Sequence, residues 1–412
     1  MIDTGSFTLD NGLRVVHHLD ASTPMMAVNV LYNVGAKDEN PEHTGMAHLF
    51  EHLMFGGSAN IADYDRAIEL AGGWNNAWTT NDYTNFYDVL PAANAETAFW
   101  AESDRMLALA FSDKALDVQR QVVVEEFKQN FLNRPYGDFG HLLRALIYKV
   151  HPYRWPTIGL APEQILGVTQ DDVRNFFYSH YAPNNAVLAV AGNISFDLTR
   201  ELAQKWFGDI PRRDIAPRTY SPEPEATEPR RLEVTRDVPS TSIALAYPMM
   251  PYGHPLYEAA DILTDILSTG TSSRFQRELV TKGTLFTEAD ASILGSDDPG
   301  YLLVTGRLAD NSGTTLMRAE EALRGQLDRI VDKGVTPDEL SRAVNKFESN
   351  LVFNNVGFLA RAQAIAMSAM HGEDINDTLP RYNRLTPDHI SAAAREIIRP
   401  EASRTLVYRA QS

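Results

Sequence analysis

The sequence contains no cysteine, which excludes disulfide bonds, cysteine-ligated zinc and cysteine nucleophiles together. Any metal ion must therefore bind to histidine and carboxylate side chains. No stretch approaches the ~20 consecutive apolar residues of a membrane-spanning helix, and the first residues, Met1–Ser6, do not resemble a signal peptide. We therefore expect a soluble protein without a membrane span.

The chain also has fewer basic than acidic residues. The chain has 37 Lys and Arg against 54 Asp and Glu, which gives a formal net charge of −17 and no basic stretch. Proteins that bind nucleic acids or anionic membranes need clustered positive charge, so both classes are disfavoured. The hydrophobic share of 44% is ordinary for a globular protein, and 412 residues suffice for two or more domains.

Histidine is scarce, with 11 in the chain, yet two occur in the segment His48-Leu49-Phe50-Glu51-His52. Between a predicted cap at Thr44 and the pair Gly56-Gly57 there is room for a helix of about three turns. On that helix His48 and His52 are i and i+4, and Glu51 lies within the same arc of about 100°. This H-x-x-E-H order is the inverse of a zinc-protease signature.

Two interpretations of this segment compete. A pair of partly exposed histidines with a charged neighbour is the simpler one. The apolar residues Leu49, Leu53, Met54 and Phe55 count against it, because a His-Glu-His face on a largely apolar helix is costly without a partner. A metal ion bound by His48 and His52, with Glu51 beside it, is the interpretation that we favour.

A further protein ligand is predicted on the helix that contains Val122–Phe127. Glu125 has Gln121, Lys128 and Gln129 among its i±3 and i±4 neighbours, which is typical of a solvated face. Glu126 follows Val122 and Val123 on the core side of the helix. Because a carboxylate on the core side needs a partner, Glu126 is the better candidate for the third metal ligand.

Elsewhere, hydrophobic periodicity and turn residues predict mixed helices and strands. The predicted strands are a hairpin over Phe7–His18 with its turn at Asn11-Gly12, then Met26–Val34, Asn76–Val89, Ala186–Gly192, Leu232–Thr235 and Ser242–Tyr247. The predicted helices are Tyr64–Leu70, a long region Ala92–Leu132 broken near Phe111–Asp113, Gln170–Tyr181, Asp197–Phe207 and Leu256–Leu267.

The chain is predicted to contain two domains of similar topology. A segment rich in proline and charge divides it, so we place an N-terminal domain with the metal site at residues 1–211, an extended linker at 212–231 and a C-terminal domain at 232–412. Each half has a strand, a helix and then glycine at a similar offset, which indicates an internal duplication. Asp261, Thr264 and Asp265 then stand where His48, Glu51 and His52 stand, so the second domain lacks the metal site.

Over essentially its whole length the chain resembles peptidase family M16, the pitrilysin and mitochondrial processing peptidase family, in its short bacterial two-domain form. The motifs that carry the resemblance are Phe7–Leu13, His48–Gly57, Gly72–Thr79, Arg120–Glu126, His151–Tyr153 and Asn184–Leu188. The resemblance implies an α+β fold of two homologous domains, each an antiparallel-rich sheet packed with helices. It also implies a zinc endopeptidase with one Zn²⁺ per subunit, in which two units close a chamber around peptide substrates.

The resemblance further implies roles for single residues. Glu126 matches the third zinc ligand of the family, and Glu51 matches its general base. Gln119 stands where many relatives have a second glutamate that helps to position the third ligand, and it keeps hydrogen bonding without the charge. Asn76, Ala77 and Trp78 match an edge strand to which a substrate peptide adds by main-chain pairing; an ordinary internal strand is the alternative.

One departure from the family pattern bears on activity. Relatives supply an Arg and a Tyr, seven residues apart, from the second domain, and here those places are Val280 and Thr287. We therefore expect the metal-bearing half of a heterodimer whose homologous partner supplies the Arg and Tyr. The alternatives are a homodimer that uses another residue such as Arg274, and a non-catalytic core or assembly subunit. The compartment stays open between the bacterial cytoplasm and periplasm.

Overall fold

The computed structural model describes residues 1–110, 112–310 and 313–411, and for Gly313 and Thr314 it describes the main chain alone. Within these residues the strands fall into two groups along the chain. The first group is β1 (Gly5–Thr8), β2 (Arg14–Leu19), β3 (Met25–Tyr32), β4 (Trp74–Thr79), β5 (Thr84–Pro91) and β6 (Ala186–Gly192). The second group is β7 (Arg230–Arg236), β8 (Ser242–Pro248), β9 (Phe286–Leu294), β10 (Tyr301–Leu308) and β11 (Arg404–Ala410).

The helices lie between and after these strands. In the first half they are α1 (Met46–Leu53), α2 (Tyr64–Leu70), α3 (Ala95–Leu107), α4 (Asp113–Phe127), α5 (Phe139–Ile147), α6 (Pro162–Leu166), α7 (Gln170–His180) and α8 (Phe196–Phe207). In the second half they are α9 (Tyr257–Ser268), α10 (Gly313–Lys333), α11 (Pro337–Asn354), α12 (Phe358–His371), α13 (Thr378–Asn383) and α14 (Pro387–Ile397).

The two sheets share one strand arrangement, which confirms the predicted α+β duplication. The first has the order β1-β2-β6-β3-β5-β4, and the second has the order β7-β11-β8-β10-β9. In each sheet one parallel pair, β2 with β6 or β7 with β11, is followed only by antiparallel neighbours. The strands β4 and β9 therefore occupy equivalent edges.

The described chain forms two compact units that interleave along the sequence. Unit 1 comprises Met1–Phe127, Trp155–Tyr220 and Leu351–Thr378, and unit 2 comprises Lys128–Arg154, Ser221–Asn350 and Leu379–Ser412. The boundaries predicted at residues 211 and 232 stay a prediction. The exchange of segments between the two halves of the sequence was not indicated by any sequence pattern.

In unit 1 the core is completed by α12, a helix from the second half of the sequence. Its residues Ala362, Ile365 and Ala366 are at most 2% exposed, and they pack against Ala27 of β3 and Val187 of β6. One face of the first sheet is thus covered by a helix from the second half of the sequence.

Unit 2 shows the reciprocal arrangement. Leu143 and Ile147 of α5, which precede the second sheet by about a hundred residues of chain, pack against Ala244, Ala246 and Leu406 on that sheet. Each sheet therefore buries apolar area against a helix taken from the other half of the sequence.

The structure corrects the predicted strand Asn76–Val89, which is the hairpin of β4 and β5. Its turn depends on Thr80, whose Oγ1 accepts hydrogen bonds from the N–H groups of Asp82 and Tyr83. Threonine can make such a turn by side-chain capping without the usual glycine or proline signal. The predicted break in the long helical region is confirmed between Leu107 and Asp113, with Phe111 outside the described residues.

Candidate metal centre

The helix that carries His48 and His52 begins after Gly45, whose φ of 91° requires the left-handed conformation that glycine adopts readily. The predicted cap at Thr44 is wrong, because the Thr44 hydroxyl instead contacts Gln164 and accepts from the N–H of Leu160 at 2.8 Å. The helix is also shorter than predicted, with eight residues.

The actual cap of α1 is the buried carboxylate of Glu39. Its two oxygens accept from the N–H of Gly45 at 2.9 Å and from the N–H of Ala47 at 2.8 Å. Burial raises the pKa of Glu39, and these two backbone donors oppose that shift. Glu39 therefore fixes the start of the helix and with it the direction in which His48 and His52 point.

The three predicted ligands meet at one point. Nε2 of His48 lies 3.6 Å and Nε2 of His52 lies 3.7 Å from Oε2 of Glu126. Both distances exceed those of hydrogen bonds, so the three groups converge without bonding to one another. A tetrahedral zinc ion with ligand distances of about 2.0–2.1 Å separates its ligand atoms by about 3.4 Å, which these spacings approach.

The protonation states favour metal binding. Burial, with a smaller contribution from His52, lowers the pKa of His48 to about 4. Burial also lowers the pKa of His52, against the opposing effects of the Glu126 charge and of a hydrogen bond to Gln119. Both imidazoles are therefore neutral at pH 7, which is the form that binds a metal.

The Nδ1 atom of His48 is buried and has no hydrogen-bond partner within the described residues. Its other ring nitrogen, Nε2, is the one that faces Glu126. Nε2 is therefore the ring nitrogen placed to coordinate a metal, while Nδ1 lacks, among the described residues, the hydrogen-bond partner that usually orients a ligating imidazole. The chemistry of the donor set, two neutral imidazoles and one carboxylate, therefore fits a zinc ion.

Glu51 lies beside this cluster and contacts β4. One of its carboxylate oxygens accepts from the hydroxyl of Thr79 at 2.5 Å. Burial raises the pKa of Glu51, the Thr79 hydrogen bond lowers it, and the charge of Glu126 raises it again. A carboxylate with a raised pKa is suited to taking up and releasing a proton near neutral pH.

The two adjacent glutamates of α4 differ in their surroundings as predicted, although Val122, which was expected on the core side, is 39% exposed. Glu125 is exposed, whereas the Glu126 side chain is 37% exposed and faces the two histidines. Gln119, two turns earlier on α4, lies close enough to His52 to raise its pKa. Its predicted role in positioning Glu126 stays a prediction.

The predicted edge strand is an edge strand in the described residues, since β4 pairs there only with β5. Thr79 reaches Glu51, so alternation places Ala77 on the same face and Asn76 and Trp78 on the opposite one. Trp78 packs against the α12 side of the sheet. Asn76 is exposed, and its Oδ1 accepts from the N–H of Ala77 at 2.8 Å. Of the three predicted residues, Ala77 is therefore the one whose side chain lies on the face of β4 that also carries Thr79.

In unit 2 the counterpart positions carry no metal-binding set among the described residues, where His48, His52 and Glu126 form the one cluster of this kind. Asp261, which corresponds to His48, accepts from the hydroxyl of Tyr382 at 2.7 Å. Thr264 donates to the carbonyl of Asp261 at 2.7 Å.

Val280 and Thr287 occupy the two places where the resemblance puts an Arg and a Tyr. Val280 packs against the apolar core, and Thr287 is exposed on β9. Arg274 is held by Glu339 through two hydrogen bonds of 2.7 and 2.9 Å, and it also donates to the carbonyl of Gly334. This engagement weakens the alternative in which Arg274 stabilises a reaction intermediate.

Comparison with known proteins places this geometry in a family. The model for insulinase, peptidase family M16, matches residues 14–147, and the model for the peptidase M16 inactive domain matches residues 167–347. The zinc protease PqqE of Helicobacter pylori is 30% identical over 356 residues, which cover 85% of this chain and 79% of PqqE. The chain belongs to peptidase family M16. Its candidate metal cluster lies within the first match. The match to the inactive domain begins in unit 1 and extends over residues 221–347 of unit 2, whose described residues hold no such cluster.

Solved structures of M16 proteins share the fold. The crystal structure of a protease from Helicobacter pylori has a TM-score of 0.92 at 26% identity, covering 99% of this chain and 100% of that one. The periplasmic protease PqqL from Escherichia coli has a TM-score of 0.83 at 19% identity, covering 99% of this chain but 48% of PqqL. This M16 chain thus spans about half of PqqL. None of its described helices combines the length and apolar character needed to cross a bilayer.

Two features of the site were missed by sequence reasoning. Glu39 lies seven residues before Met46, the first residue of the helix that it caps, and so outside the usual capping positions. Thr79 was noted only as part of a strand, although its place in β4 opposite α1 makes it a partner of Glu51. No local sequence signal identifies either role, because both depend on the packing of separate elements.

Proposed function

We propose that this chain is the metal-bearing subunit of a zinc endopeptidase. The observation that carries the proposal is the convergence of His48, His52 and Glu126, with Glu51 on the same face, in a chain of family M16. The names of relatives such as PqqE, a zinc protease, support it. A scaffold without catalysis has no need of this set of four side chains.

In this proposal His48, His52 and Glu126 hold one zinc ion. The ion would supply a Lewis acid and lower the pKa of a bound water to about 7. Glu51 takes a proton from the attacking water and returns it to the leaving amine of the cleaved peptide. Thr79 holds the Glu51 carboxylate in place through its hydrogen bond.

We further propose that substrate peptides add to β4 as an extra strand. An edge strand offers main-chain N–H and C=O groups, and peptide addition to such an edge is independent of side-chain sequence. Because Thr79 at the end of β4 contacts Glu51, a peptide paired with Ala77 and its neighbours would pass beside the base. Asn76 and Trp78 would contribute through their main chain.

The partner in this proposal is a second M16 subunit. Val280 and Thr287 offer no cation or phenol for the substrate carbonyl, and Arg274 is already engaged by Glu339. The match of this chain to about half of PqqL supports the pairing of two such halves. We propose that the partner supplies an Arg and a Tyr, so that this chain alone cleaves peptides poorly.

The test combines metal analysis with a peptidase assay. The purified chain should hold one zinc ion and show little activity until its homologous partner is added. Glu51→Gln should keep the zinc and abolish cleavage by the complex, whereas His48→Ala should lose both. Full activity of the chain alone would overturn the heterodimer, and wild-type cleavage by zinc-loaded Glu51→Gln would overturn the assignment of the base.

A further inference from the structure

Because the fold is duplicated, unit 2 has a cleft at the position that holds His48, His52 and Glu126 in unit 1. In unit 1 the cluster lies between α1, which follows β3, and α4, the second helix after the β4–β5 hairpin. The helices α9 and α11 hold the same places after β8 and after the β9–β10 hairpin. Between α9 and α11 lies a cavity of about 210 Å³, which the loop of residues 269–273 also lines.

The charge of this cavity is opposite to that of the metal site. Where α4 carries Glu126, α11 carries Arg342 and Lys346, one turn apart and both lining the cavity. Neither cation forms an ion pair within the part of the chain that the structure describes. The lining carboxylates are Glu339, which Arg274 already neutralises, and Asp265. The cavity is therefore lined by two cations, Arg342 and Lys346, and by one carboxylate, Asp265, that form no ion pair among the described residues.

The loop supplies hydrogen-bond donors to the same space. Gly270 has a φ of 83°, and Nζ of Lys346 lies 3.8 Å from where a Cβ on Gly270 would stand. The hydroxyl of Ser273 is buried in a residue that is 5% exposed, and it has no hydrogen-bond partner among the described residues. A buried hydroxyl without a partner is costly, so its presence on a cavity wall calls for a ligand.

We propose that this cavity binds an oxyanion, with a preference for phosphate. Arg342 and Lys346 would supply the opposing charges, and the hydroxyl of Ser273 would supply a directed hydrogen bond. The Asp265 carboxylate would accept a hydrogen bond from a P–O–H group, which phosphate has at neutral pH and a carboxylate ligand lacks. The same cleft of the duplicated fold thus holds a cation in unit 1 and an anion in unit 2.

The experiment is isothermal titration calorimetry of the full chain with inorganic phosphate at constant ionic strength, repeated with acetate. Glu51→Gln serves as a second background, so the result does not depend on peptidase activity. Arg342→Gln and Lys346→Gln should each weaken phosphate binding by about tenfold or more, because each removes a charged hydrogen-bond donor. Ser273→Ala should weaken it less. The matched control is Arg318→Gln, an exposed arginine on α10 outside the cavity, which should bind as the wild type does.

Saturable binding of phosphate that the α11 substitutions weaken and Arg318→Gln does not would support the site. Binding of acetate alone with the same pattern would support an oxyanion site that takes carboxylates, such as peptide C-termini, and would overturn the preference for phosphate. No saturable binding by the wild type, equal binding by Arg342→Gln and Lys346→Gln, or an equal loss in Arg318→Gln would overturn the proposal.

Discussion

The carboxylate of Glu51 accepts a 2.5 Å hydrogen bond from the hydroxyl of Thr79 at the end of the edge strand β4. This bond joins the proposed base on α1 to the strand on which we propose that substrates pair. The position of the base and the position of the substrate strand are therefore set by one contact.

Removing that contact should lower the rate of cleavage without removing the metal. We expect Thr79→Val to reduce kcat by about 10- to 100-fold, because partners that orient a site residue typically contribute that much. Thr79→Ser, which keeps the hydroxyl, should restore most of the rate. The measurement is the steady-state kinetics of the active complex with zinc content determined in parallel, and unchanged kcat in Thr79→Val would show that Glu51 needs no such support.

The two adjacent glutamates of α4 should differ sharply in their effect on the metal. Glu126→Gln should weaken zinc affinity by more than the ~10- to 100-fold typical of an outer partner, because it removes a ligand. Glu125→Gln, on the exposed face, should bind zinc normally. Competition with a chelator of known affinity measures both, and equal zinc binding by the two variants would contradict the assignment of Glu126.

The cap provided by Glu39 should be needed for stability. In Glu39→Gln one of the two oxygens becomes an NH₂ group, so a backbone N–H of Gly45 or Ala47 loses its acceptor. We expect a loss of about 1–3 kcal/mol in the free energy of unfolding, the range for an unsatisfied buried donor. Urea unfolding measures it against Glu42→Gln, a nearby exposed glutamate. Equal stability of the two variants would exclude the cap as a contributor.

The pair of Arg274 and Glu339 should make stability depend on acid pH. Hydrogen bonding to Arg274 is the largest cause that lowers the pKa of Glu339, from its ordinary value of 4.5 to about 2. Because the folded pKa is the lower one, the stabilisation is present above pH 4.5 and is lost as the pH falls towards 2.

Arg274→Gln should therefore unfold at lower urea than the wild type at pH 7, with a difference that shrinks as the pH falls from 4.5 to 3. Arg277→Gln, whose side chain is 54% exposed, is the matched control and should behave as the wild type at both pH values. A difference that stays constant with pH would contradict the shifted pKa of Glu339.

The positions that we propose are supplied by a partner can be tested by restoring them. The double variant Val280→Arg with Thr287→Tyr should give the isolated chain measurable peptidase activity, because it restores a cation and a phenol to the places where relatives have them. Val280→Ala with Thr287→Ala is the control, and circular dichroism checks that both fold. No activity in the restored variant, with full activity in the natural complex, would locate the missing groups elsewhere.

The sequence predicted the metal cluster better than it predicted the surroundings of that cluster. His48, His52 and Glu126 were identified from helical spacing and from which face of α4 is apolar, and both are local properties. The Glu39 cap and the Thr79 contact were not predicted, because they depend on groups that meet only after packing. The turn at Thr80 is local, but a threonine cap lacks the usual glycine or proline signal. The α+β fold of two similar halves followed from the resemblance, whereas the strand order was not predicted and the exchange of α5 and α12 has no counterpart in any local pattern.

The placement of α12 over the first sheet has a consequence for synthesis on the ribosome. Ala27 and Val187 are covered only once residues 358–371 have been translated, so the first 211 residues emerge with one face of their sheet still bare. The nascent sheet must wait, in solvent or on a chaperone, until α12 has been synthesised. Termination between Glu126 and α12 would leave an aggregation-prone fragment in which the three proposed zinc ligands are present but one face of the sheet lacks its cover.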